Sequence, residues 1–345
     1  MPKYRVLVVD DSPIARMAII EHLSQDDEIE IAGFARNGKE AIEKVKELKP
    51  SLVTMDINMP IMGGLETIEQ IMAYNPVPVL VVTSRGDADT AYSAISKGAL
   101  EVIPKPEIGI ENSEDFIRKI KLLSKVKVIS HLRGRHVNEN RNQCVVSLNK
   151  NEREDKRPEK AIVIASSTGG PKALLKILSE LPENLPAPVF VAQHIPTEFV
   201  NGLAEWLNGV CKLRVKAGER GELIQAGVVY ISPVNKTMVI NNKNRIELYT
   251  QVEGAVYFPS CDHLLATTGK TYKDKCMGLI LTGMGNDGVE GISDIKKNGG
   301  ITIAQDEESS IVFGMPKVAI ERGSIYKVLP LEKMSQEILR FVRAV

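Results

Sequence analysis

The sequence predicts two doubly wound α/β domains with parallel sheets, and three observations carry this prediction. Short apolar segments alternate with amphipathic helical patterns along residues 1–122, and the same alternation returns along residues 161–345. Such alternation with short connections is typical of parallel sheets covered by helices. Between the two lies a polar, basic stretch at residues 123–160, which has the composition of a linker. A chain of 345 residues also has the length of about two domains.

Composition indicates a globular protein of the cytoplasm. The chain is 43% hydrophobic and 26% charged, which is ordinary for a soluble domain. No apolar run reaches the roughly 20 residues that span a bilayer, so no membrane insertion is expected. The N-terminus passes directly into a strand and shows no signal peptide. Cys144, Cys211, Cys261 and Cys276 show no metal-binding spacing, which favours reduced thiols.

The charges sum to zero but are unevenly distributed. Residues 1–122 hold 14 Lys/Arg against 20 Asp/Glu, a net charge of −6, whereas residues 123–160 have a net charge of +5. The connector is either a solvated linker, which is the simpler interpretation, or a segment that lies against the acidic first domain. The second domain is nearly neutral at +1, and without a basic helix it is not expected to bind nucleic acid.

Five strands are predicted in the first domain, and four of them have polar side chains at or near their carboxyl ends. The strands are Tyr4–Val9, Glu28–Phe34, Leu52–Ile57, Val77–Thr83 and Glu101–Lys105. The side chains at or near strand ends are Asp10, Asp11, Asp56, Thr83 and Lys105. Because sites in parallel sheets form beyond the carboxyl ends of the strands, we expect these five residues to lie together.

Three converging carboxylates favour a bound Mg²⁺, which prefers oxygen ligands. Asp56 is then placed to attack a phosphoryl group as a nucleophile, with the cation and Lys105 neutralising charge and Thr83 hydrogen-bonding nearby. Any one of these residues alone is more often a helix cap or a surface charge. The combination at separate strand ends is what indicates a site.

Residues 1–122 resemble the response-regulator receiver domain, a flavodoxin-like fold. The resemblance rests on ordered segments that match, which are Val8–Ser12, Met55–Pro60, Gly63–Leu65, Val82–Ser84 and Pro104–Pro106. It implies Asp56 as the phosphoacceptor, Asp10, Asp11 and Asp56 as Mg²⁺ ligands, and Thr83 and Lys105 as sensors of the phosphoryl group. Val102 departs from the family, since receivers often carry an aromatic switch residue there.

The second domain opens with a sharp turn that offers two serines. An apolar strand, Ala161–Ala165, runs into Ser166, Ser167 and Thr168-Gly-Gly, and Pro171 then begins a helix. A serine on such a turn suits a nucleophile, and the free N–H groups of the helix N-terminus suit a phosphate. On its own the turn leaves both interpretations open, although it lacks the residues of a P-loop.

His194 and Asp287 follow two further predicted strands of this domain and favour the nucleophile. Serine needs a base, which histidine provides, and a carboxylate orients that histidine. The chain order Ser167, His194, Asp287 differs from the order in α/β-hydrolases. Residues 212–249 carry short strands and turns that predict an insert rich in β-hairpins, with strands at Lys212–Ala217, Gly227–Ser232, Thr237–Asn241 and Arg245–Tyr249. The segment 260–271 is a predicted helix capped by Ser260 or Asp262.

The whole chain resembles the chemotaxis protein-glutamate methylesterase family, a receiver joined to an α/β esterase domain. The matching segments are Ser166–Pro171, Gln193–Pro196, Gly227–Pro233, Leu281–Gly288, Gln305–Ser310 and Phe313–Pro316. The resemblance implies Ser167 as the nucleophile, His194 as the base and Asp287 as its orienter. It also implies Thr168 and Met284 as residues of the oxyanion or substrate turn, and an esterase site without a cofactor. Trp206 departs from the family, which tends to have a polar or basic residue there.

The resemblance further implies a phosphorylation-activated carboxylic ester hydrolase of two-component chemotaxis signalling. Its substrates would be methylated glutamates, and also glutamines, on the cytoplasmic helices of chemoreceptors, and its phosphodonor a histidine kinase. The unphosphorylated receiver would cover the serine site. The alternatives are a non-catalytic regulator, a nucleotide-binding enzyme that uses residues 166–170 as a phosphate loop, and, more weakly, a DNA-binding protein.

Overall fold

The computed structural model describes residues 4–84, 88–107, 113–128, 157–196, 199–250 and 258–344. Most of the predicted connector, including Cys144, lies outside these residues. The first sheet has five parallel strands in the order β2-β1-β3-β4-β5. Its strands are β1 (Tyr4–Val9), β2 (Ile29–Ala35), β3 (Leu52–Met55), β4 (Val79–Thr83) and β5 (Glu101–Pro104).

Five helices connect and cover this sheet. They are α1 (Pro13–Leu23), α2 (Gly38–Leu48), α3 (Gly64–Tyr74), α4 (Ala88–Ser96) and α5 (Glu114–Leu123). The first two begin at side-chain caps, since the Ser12 hydroxyl accepts from the backbone of Ala15 and Asn37 accepts from the backbone of Glu40. Strand β3 is buried along its whole length, as expected for a parallel strand covered on both faces.

The second sheet has seven parallel strands in the order β14-β13-β12-β6-β7-β9-β8. Its strands are β6 (Ala161–Ser166), β7 (Val189–Gln193), β8 (Arg214–Ala217), β9 (Val228–Ile231), β12 (Cys276–Ile280), β13 (Ile301–Gln305) and β14 (Lys327–Leu329). The predicted fold class, two α/β domains with parallel sheets, is therefore confirmed.

The insert between residues 212 and 249 is less hairpin-rich than the sequence predicts. Only β10 (Thr237–Ile240) and β11 (Ile246–Tyr249) form an antiparallel hairpin. Strands β8 and β9 pair with each other in parallel and extend the main sheet. The reason is visible in β9, in which all four side chains are buried. Full burial is the property of a parallel strand covered on both faces, whereas a solvent-facing hairpin alternates.

Six helices pack on the second sheet, and they are α6 (Gly170–Leu178), α7 (Val200–Val210), α8 (Cys261–Tyr272), α9 (Val289–Lys297), α10 (Met315–Glu321) and α11 (Leu331–Arg343). Helix α8 begins at Ser260, whose hydroxyl accepts from the backbone of His263. Of the two predicted caps of this helix, Ser260 is therefore the one that is used.

The two domains pack against each other through helix α4 of the first and helices α6 and α7 of the second. Tyr92 of α4 is only 2% exposed. Its ring stacks on Trp206 of α7, with centroids 5.5 Å apart, and meets Phe199 edge to face at 6.4 Å. One hydrophobic cluster accordingly includes residues of both sheets. Ile311 of the second domain also packs against the core of the first. In the described residues, no helix combines the length and the apolar character that a bilayer crossing requires.

Candidate active sites

Each sheet has a point at which the strand order reverses, and the candidate residues lie there. In the first sheet the reversal falls between β1 and β3, which precede Asp10 and Asp56. In the second sheet β6 lies between β7 and β12, so Ser167, His194 and the turn with Asp287 follow three neighbouring strands. Crevices at such points are the usual binding sites of open parallel sheets.

The predicted residues of the first domain form one connected cluster. The Lys105 ammonium lies 2.7 Å from Asp10 Oδ2 and 2.9 Å from Asp56 Oδ2. The Thr83 hydroxyl donates to Asp56 Oδ1 at 3.1 Å. Asp10 and Asp56 are buried, whereas Asp11 is exposed. The structure thus brings together all five residues that the sequence singled out here.

The environment of this cluster shifts the pKa values of Asp10 and Lys105. Burial raises the pKa of Asp10 above its usual value, against the lowering effect of Lys105, and the nearby Asp56 charge raises it further. Burial lowers the pKa of Lys105, but hydrogen bonds to Asp10 and Asp56 outweigh this and leave it raised. The lysine therefore stays protonated and holds two carboxylates that would otherwise repel each other.

The acidic cluster fits a hard divalent cation. Asp10, Asp11 and Asp56 each offer an oxygen, and the three oxygens lie within 4.8 Å of one another. An all-oxygen donor set is what Mg²⁺ prefers. The exposed Asp11 leaves one side of the cluster open to solvent, so a cation that keeps some of its water ligands can be accommodated there.

The two serines of the turn after β6 differ in environment. Ser166 is fully buried, and its hydroxyl donates to Gln193 Oε1 at 2.6 Å. Ser167 is half-buried and is the first residue beyond the β6 strand. Its backbone N–H donates to the carbonyl of Thr282 at 3.1 Å. Since Ser166 faces the interior, Ser167 is the serine that has access to a substrate.

Gln193 connects the serine turn to the histidine turn, a role that the sequence analysis does not predict. Its side-chain amide donates to the carbonyl of Ser167 at 2.8 Å and to that of His194 at 2.9 Å. The backbone N–H of His194 donates to the carbonyl of Ser166 at 3.0 Å. The side chain of Gln193 is 2% exposed. A glutamine at the end of an otherwise apolar strand is the sequence signal that could have identified it, because buried amides need partners.

His194 and Asp287 form a hydrogen-bonded pair. The ring atom Nε2 of His194 lies 2.7 Å from Asp287 Oδ2. Asp287 also accepts from the backbone N–H of Cys261 at 2.8 Å and of Asp262 at 3.0 Å, which are the first residues of α8. The carboxylate thus lies at a helix N-terminus, where the helix dipole stabilises negative charge.

These contacts determine the ionisation of Asp287. Burial raises its pKa, but the hydrogen bond from His194 and those from the backbone of Asp262 and Cys261 lower it by more. The pKa of Asp287 is therefore below its usual value, and the group is a carboxylate at neutral pH. An ionised carboxylate orients a neighbouring histidine and stabilises its protonated form.

The turn after β12 approaches the serine closely. A Cβ added at Gly283 would lie 2.8 Å from Cβ of Ser167 and 2.3 Å from Sδ of Met315, so this position needs a glycine. The next residue, Met284, is half-buried. Over the described ranges, neither the N–H of Met284 nor that of Thr168 donates to a protein acceptor. Two unused N–H groups beside a serine are the donors that an oxyanion needs.

Asp262 is a second carboxylate of this region, and the sequence predicts it only as a possible cap of its own helix. It instead caps the neighbouring helix α9, because its Oδ1 accepts from the backbone N–H of Gly288 at 2.9 Å and of Gly291 at 2.8 Å. Asp287 caps α8 in return. The cross-capping fixes the turn that carries Asp287 against α8. No sequence pattern could reveal it, since it joins residues 26 and 29 positions apart.

Two sequence models of protein families match this chain. The model of the CheB methylesterase matches residues 162–338, and the model of the response regulator receiver domain matches residues 6–116. The chain belongs to the CheB methylesterase family. This confirms the predicted family and the predicted class of carboxylic ester hydrolase.

Curated relatives within the CheB methylesterase family match over almost the whole chain. A protein-glutamate methylesterase/protein-glutamine glutaminase of Paramagnetospirillum magneticum is 41% identical over 344 residues, which cover 99% of this chain and 97% of the relative. A protein of the same name from Pyrococcus abyssi is 38% identical over 350 residues, with 99% and 95% covered. The crystal structure of the Thermotoga maritima CheB methylesterase catalytic domain is 40% identical, with a TM-score of 0.51, and covers 52% of this chain and 97% of that chain.

Proposed function

We propose that this CheB-family protein hydrolyses methyl esters of glutamate side chains on chemoreceptors, deamidates glutamines there, and is activated by phosphorylation of Asp56. The proposed catalytic activity rests on one observation: His194 and Asp287 form a hydrogen-bonded pair on strand ends beside Ser167. Ester and amide hydrolysis pass through the same tetrahedral intermediate, so one site serves both reactions.

Ser167 is the nucleophile and His194 its general base. Because Nε2 of His194 donates to Asp287, the neutral ring has its lone pair on Nδ1. That nitrogen takes the proton of the Ser167 hydroxyl as the oxygen attacks the ester carbonyl. The tautomer is maintained by the ionised Asp287, which also stabilises the imidazolium that forms.

The reaction then proceeds in two halves. The N–H groups of Met284 and Thr168 stabilise the oxyanion, the imidazolium returns its proton to the departing methoxide, and methanol leaves an acyl-serine. Water, deprotonated by His194, attacks this acyl group, and the Ser167 oxygen leaves with the proton that His194 returns. The products are a free glutamate side chain and the original enzyme. For a glutamine substrate, the first leaving group is ammonia.

The receiver regulates access to this chemistry. Asp56 accepts the phosphoryl group from a histidine kinase. Asp10, Asp11 and Asp56 would hold a Mg²⁺ ion, which would supply positive charge to the phosphoryl oxygens. Lys105 and Thr83 contact Asp56 and respond to the added group. Ile311 packs against the receiver core and also lies next to Gly169 of the serine turn, where an added Cβ would be 2.8 Å from the Ile311 side chain. The receiver thus lies near the nucleophile, and its departure opens the site.

The test is methanol release from methylated receptor, measured with and without a small phosphodonor. Ser167→Ala is expected to abolish release in both conditions, because no other described hydroxyl lies on this turn with access to the substrate. Ser166→Ala is the matched control: it leaves the buried Gln193 Oε1 without its donor, which costs about 1–3 kcal/mol of stability, and it is expected to keep most of the activity. If Ser167→Ala released methanol at the wild-type rate, the catalytic assignment would be wrong.

A further inference from the structure

A cysteine thiol lies against the catalytic pair and has no part in the proposed mechanism. Cys261 is the first residue of α8 and is fully buried. Its Sγ lies 3.5 Å from His194 Nε2 and 3.7 Å from the carbonyl oxygen of Ala192. The backbone N–H of the same residue holds Asp287. The side chain is therefore fixed beside the two groups on which proton transfer depends.

Three different ligand atoms converge at this point. His194 Nε2, Cys261 Sγ and a carboxylate oxygen of Asp287 all lie within 4.8 Å of one another. In a tetrahedral Zn²⁺ site, bond lengths of about 2.0–2.3 Å place neighbouring ligand atoms roughly 3.3–3.8 Å apart. The sulfur–nitrogen separation of 3.5 Å already has this value. The 2.7 Å contact between His194 and Asp287 has to widen when a cation binds.

We propose that His194, Cys261 and Asp287 form a three-ligand site for a thiophilic divalent cation such as Zn²⁺, and that the bound cation reversibly inhibits the esterase. Binding requires only the three side chains. Inhibition rests in addition on the proposed function. A cation bound to Nε2 replaces the hydrogen bond from His194 to Asp287, so His194 can no longer act as the general base.

The donor set decides which cations compete. Thiolate and imidazole favour Zn²⁺ or Cd²⁺, whereas Mg²⁺ prefers the all-oxygen cluster of the receiver. Binding replaces the S–H bond of Cys261 by a sulfur–metal bond and releases the proton to solvent. The side chain of His194 is 16% exposed, so solvent reaches at least one of the three ligands. Zn²⁺ with three protein ligands completes its tetrahedron with a water molecule, as in catalytic zinc sites.

The side-chain burial of Cys261 has a simpler interpretation, that of a small core residue, and the experiment separates the two. The full-length chain is prepared with Cys144→Ser, since residue 144 lies outside the described residues, and is freed of metal with a chelator. Cd²⁺ is titrated in while the near-ultraviolet thiolate-to-metal charge-transfer band is recorded. Cys261→Val and Cys261→Ser are the test variants, and circular dichroism checks that they fold.

Cys276→Val is the matched control, because Cys276 is equally buried but starts β12, at the end opposite to the turn with Asp287. We expect the band in the parent and in Cys276→Val, and none in either Cys261 variant. A band that persists in both Cys261 variants, or no band in the parent, would refute the site.

Inhibition is measured separately, as Zn²⁺ suppression of methanol release relative to the metal-free rate of each variant. The Zn²⁺ concentration for half-inhibition should rise by more than about tenfold in the Cys261 variants, since even loss of an outer-shell partner typically weakens metal binding 10–100-fold. Equal inhibition of parent and Cys261 variants would overturn the inhibitory role. A Cd²⁺ band without any inhibition would show that the cation binds at this site. It would contradict the proposed role of His194 as the general base.

Discussion

Single charged residues show that the receiver site is built for binding at the expense of stability. Asp10 is buried beside Asp56, and its burial, with the Asp56 charge in addition, raises its pKa by more than Lys105 lowers it. The raised pKa of Asp10 means that the folded state holds this proton more tightly than the unfolded chain. Stability is therefore lost as the pH rises from the ordinary value of 3.8 through the raised pKa of the folded state.

Asp10→Asn should accordingly stabilise the metal-free protein at neutral pH. The gain should shrink toward zero as the pH falls to about 4, where Asp10 is increasingly protonated in both states. Urea unfolding at several pH values measures it. Mg²⁺ should raise the stability of the wild type more than that of Asp10→Asn, because the variant loses one carboxylate ligand. An Asp10→Asn variant that was less stable than the wild type at neutral pH would contradict this account.

Contacts between helices α8 and α9 determine the geometry of the proposed esterase site. Helices α8 and α9 cap each other through Asp287 and Asp262, so the position of the Asp287 carboxylate depends on a side chain of the neighbouring helix. The close approach of these helices leaves no room for a side chain at Gly291, where a Cβ would lie 2.4 Å from the carbonyl oxygen of Asp262. Asp262 is thus a positioning residue.

Asp262→Ala should loosen the turn that carries Asp287. Loss of a helix cap typically costs about 1 kcal/mol, which thermal unfolding would measure. We expect kcat for methanol release to fall by about tenfold or more with little change in KM, since a misplaced base affects the chemical step. Unchanged kcat in a destabilised variant would reduce Asp262 to a structural role.

At the scale of the whole molecule, the two domains share an aromatic interface. Tyr92 is buried between Trp206 and Phe199, and Trp206 is the single tryptophan of the chain. Stacked aromatic pairs contribute about 0.5–1.5 kcal/mol beyond their buried area. Trp206 is one of the departures from the family noted in the sequence, and the structure explains it as a partner for the receiver.

The fluorescence of Trp206 should therefore report separation of the domains. A phosphoryl analogue such as beryllofluoride, added with Mg²⁺, should shift the emission to longer wavelength, because the indole loses Tyr92 and meets water. Tyr92→Ala should give the shifted spectrum without the analogue. Asp56→Asn, which cannot be modified, is the control and should keep the unshifted spectrum. A spectrum that does not change on modification of Asp56 would exclude opening at this interface.

Much of this architecture could be predicted from the sequence, and the omissions have physical reasons. Apolar segments at fixed alternation predict nearly all strands, and polar residues at their ends predict the two groups of residues that the structure brings together. Strands β8 and β9 were predicted as hairpin strands because short apolar segments do not specify their partners. The roles of Gln193 and Asp262 arise from contacts between distant segments, and the environment of Tyr92 from packing between domains. Contacts of these two kinds leave no periodic pattern in the sequence.

The shared burial of Tyr92 has a thermodynamic consequence that runs in both directions. A ligand that binds only the separated domains must supply the free energy of exposing this interface. Once one ligand has exposed the interface, a second ligand binds without supplying that free energy again. If phosphorylation of Asp56 strengthens receptor binding by a given factor, receptor binding must favour the phosphorylated receiver by the same factor. Under the proposed function, a methylated receptor is then an effector as well as a substrate, since its presence shifts the phosphorylation equilibrium of the protein that demethylates it.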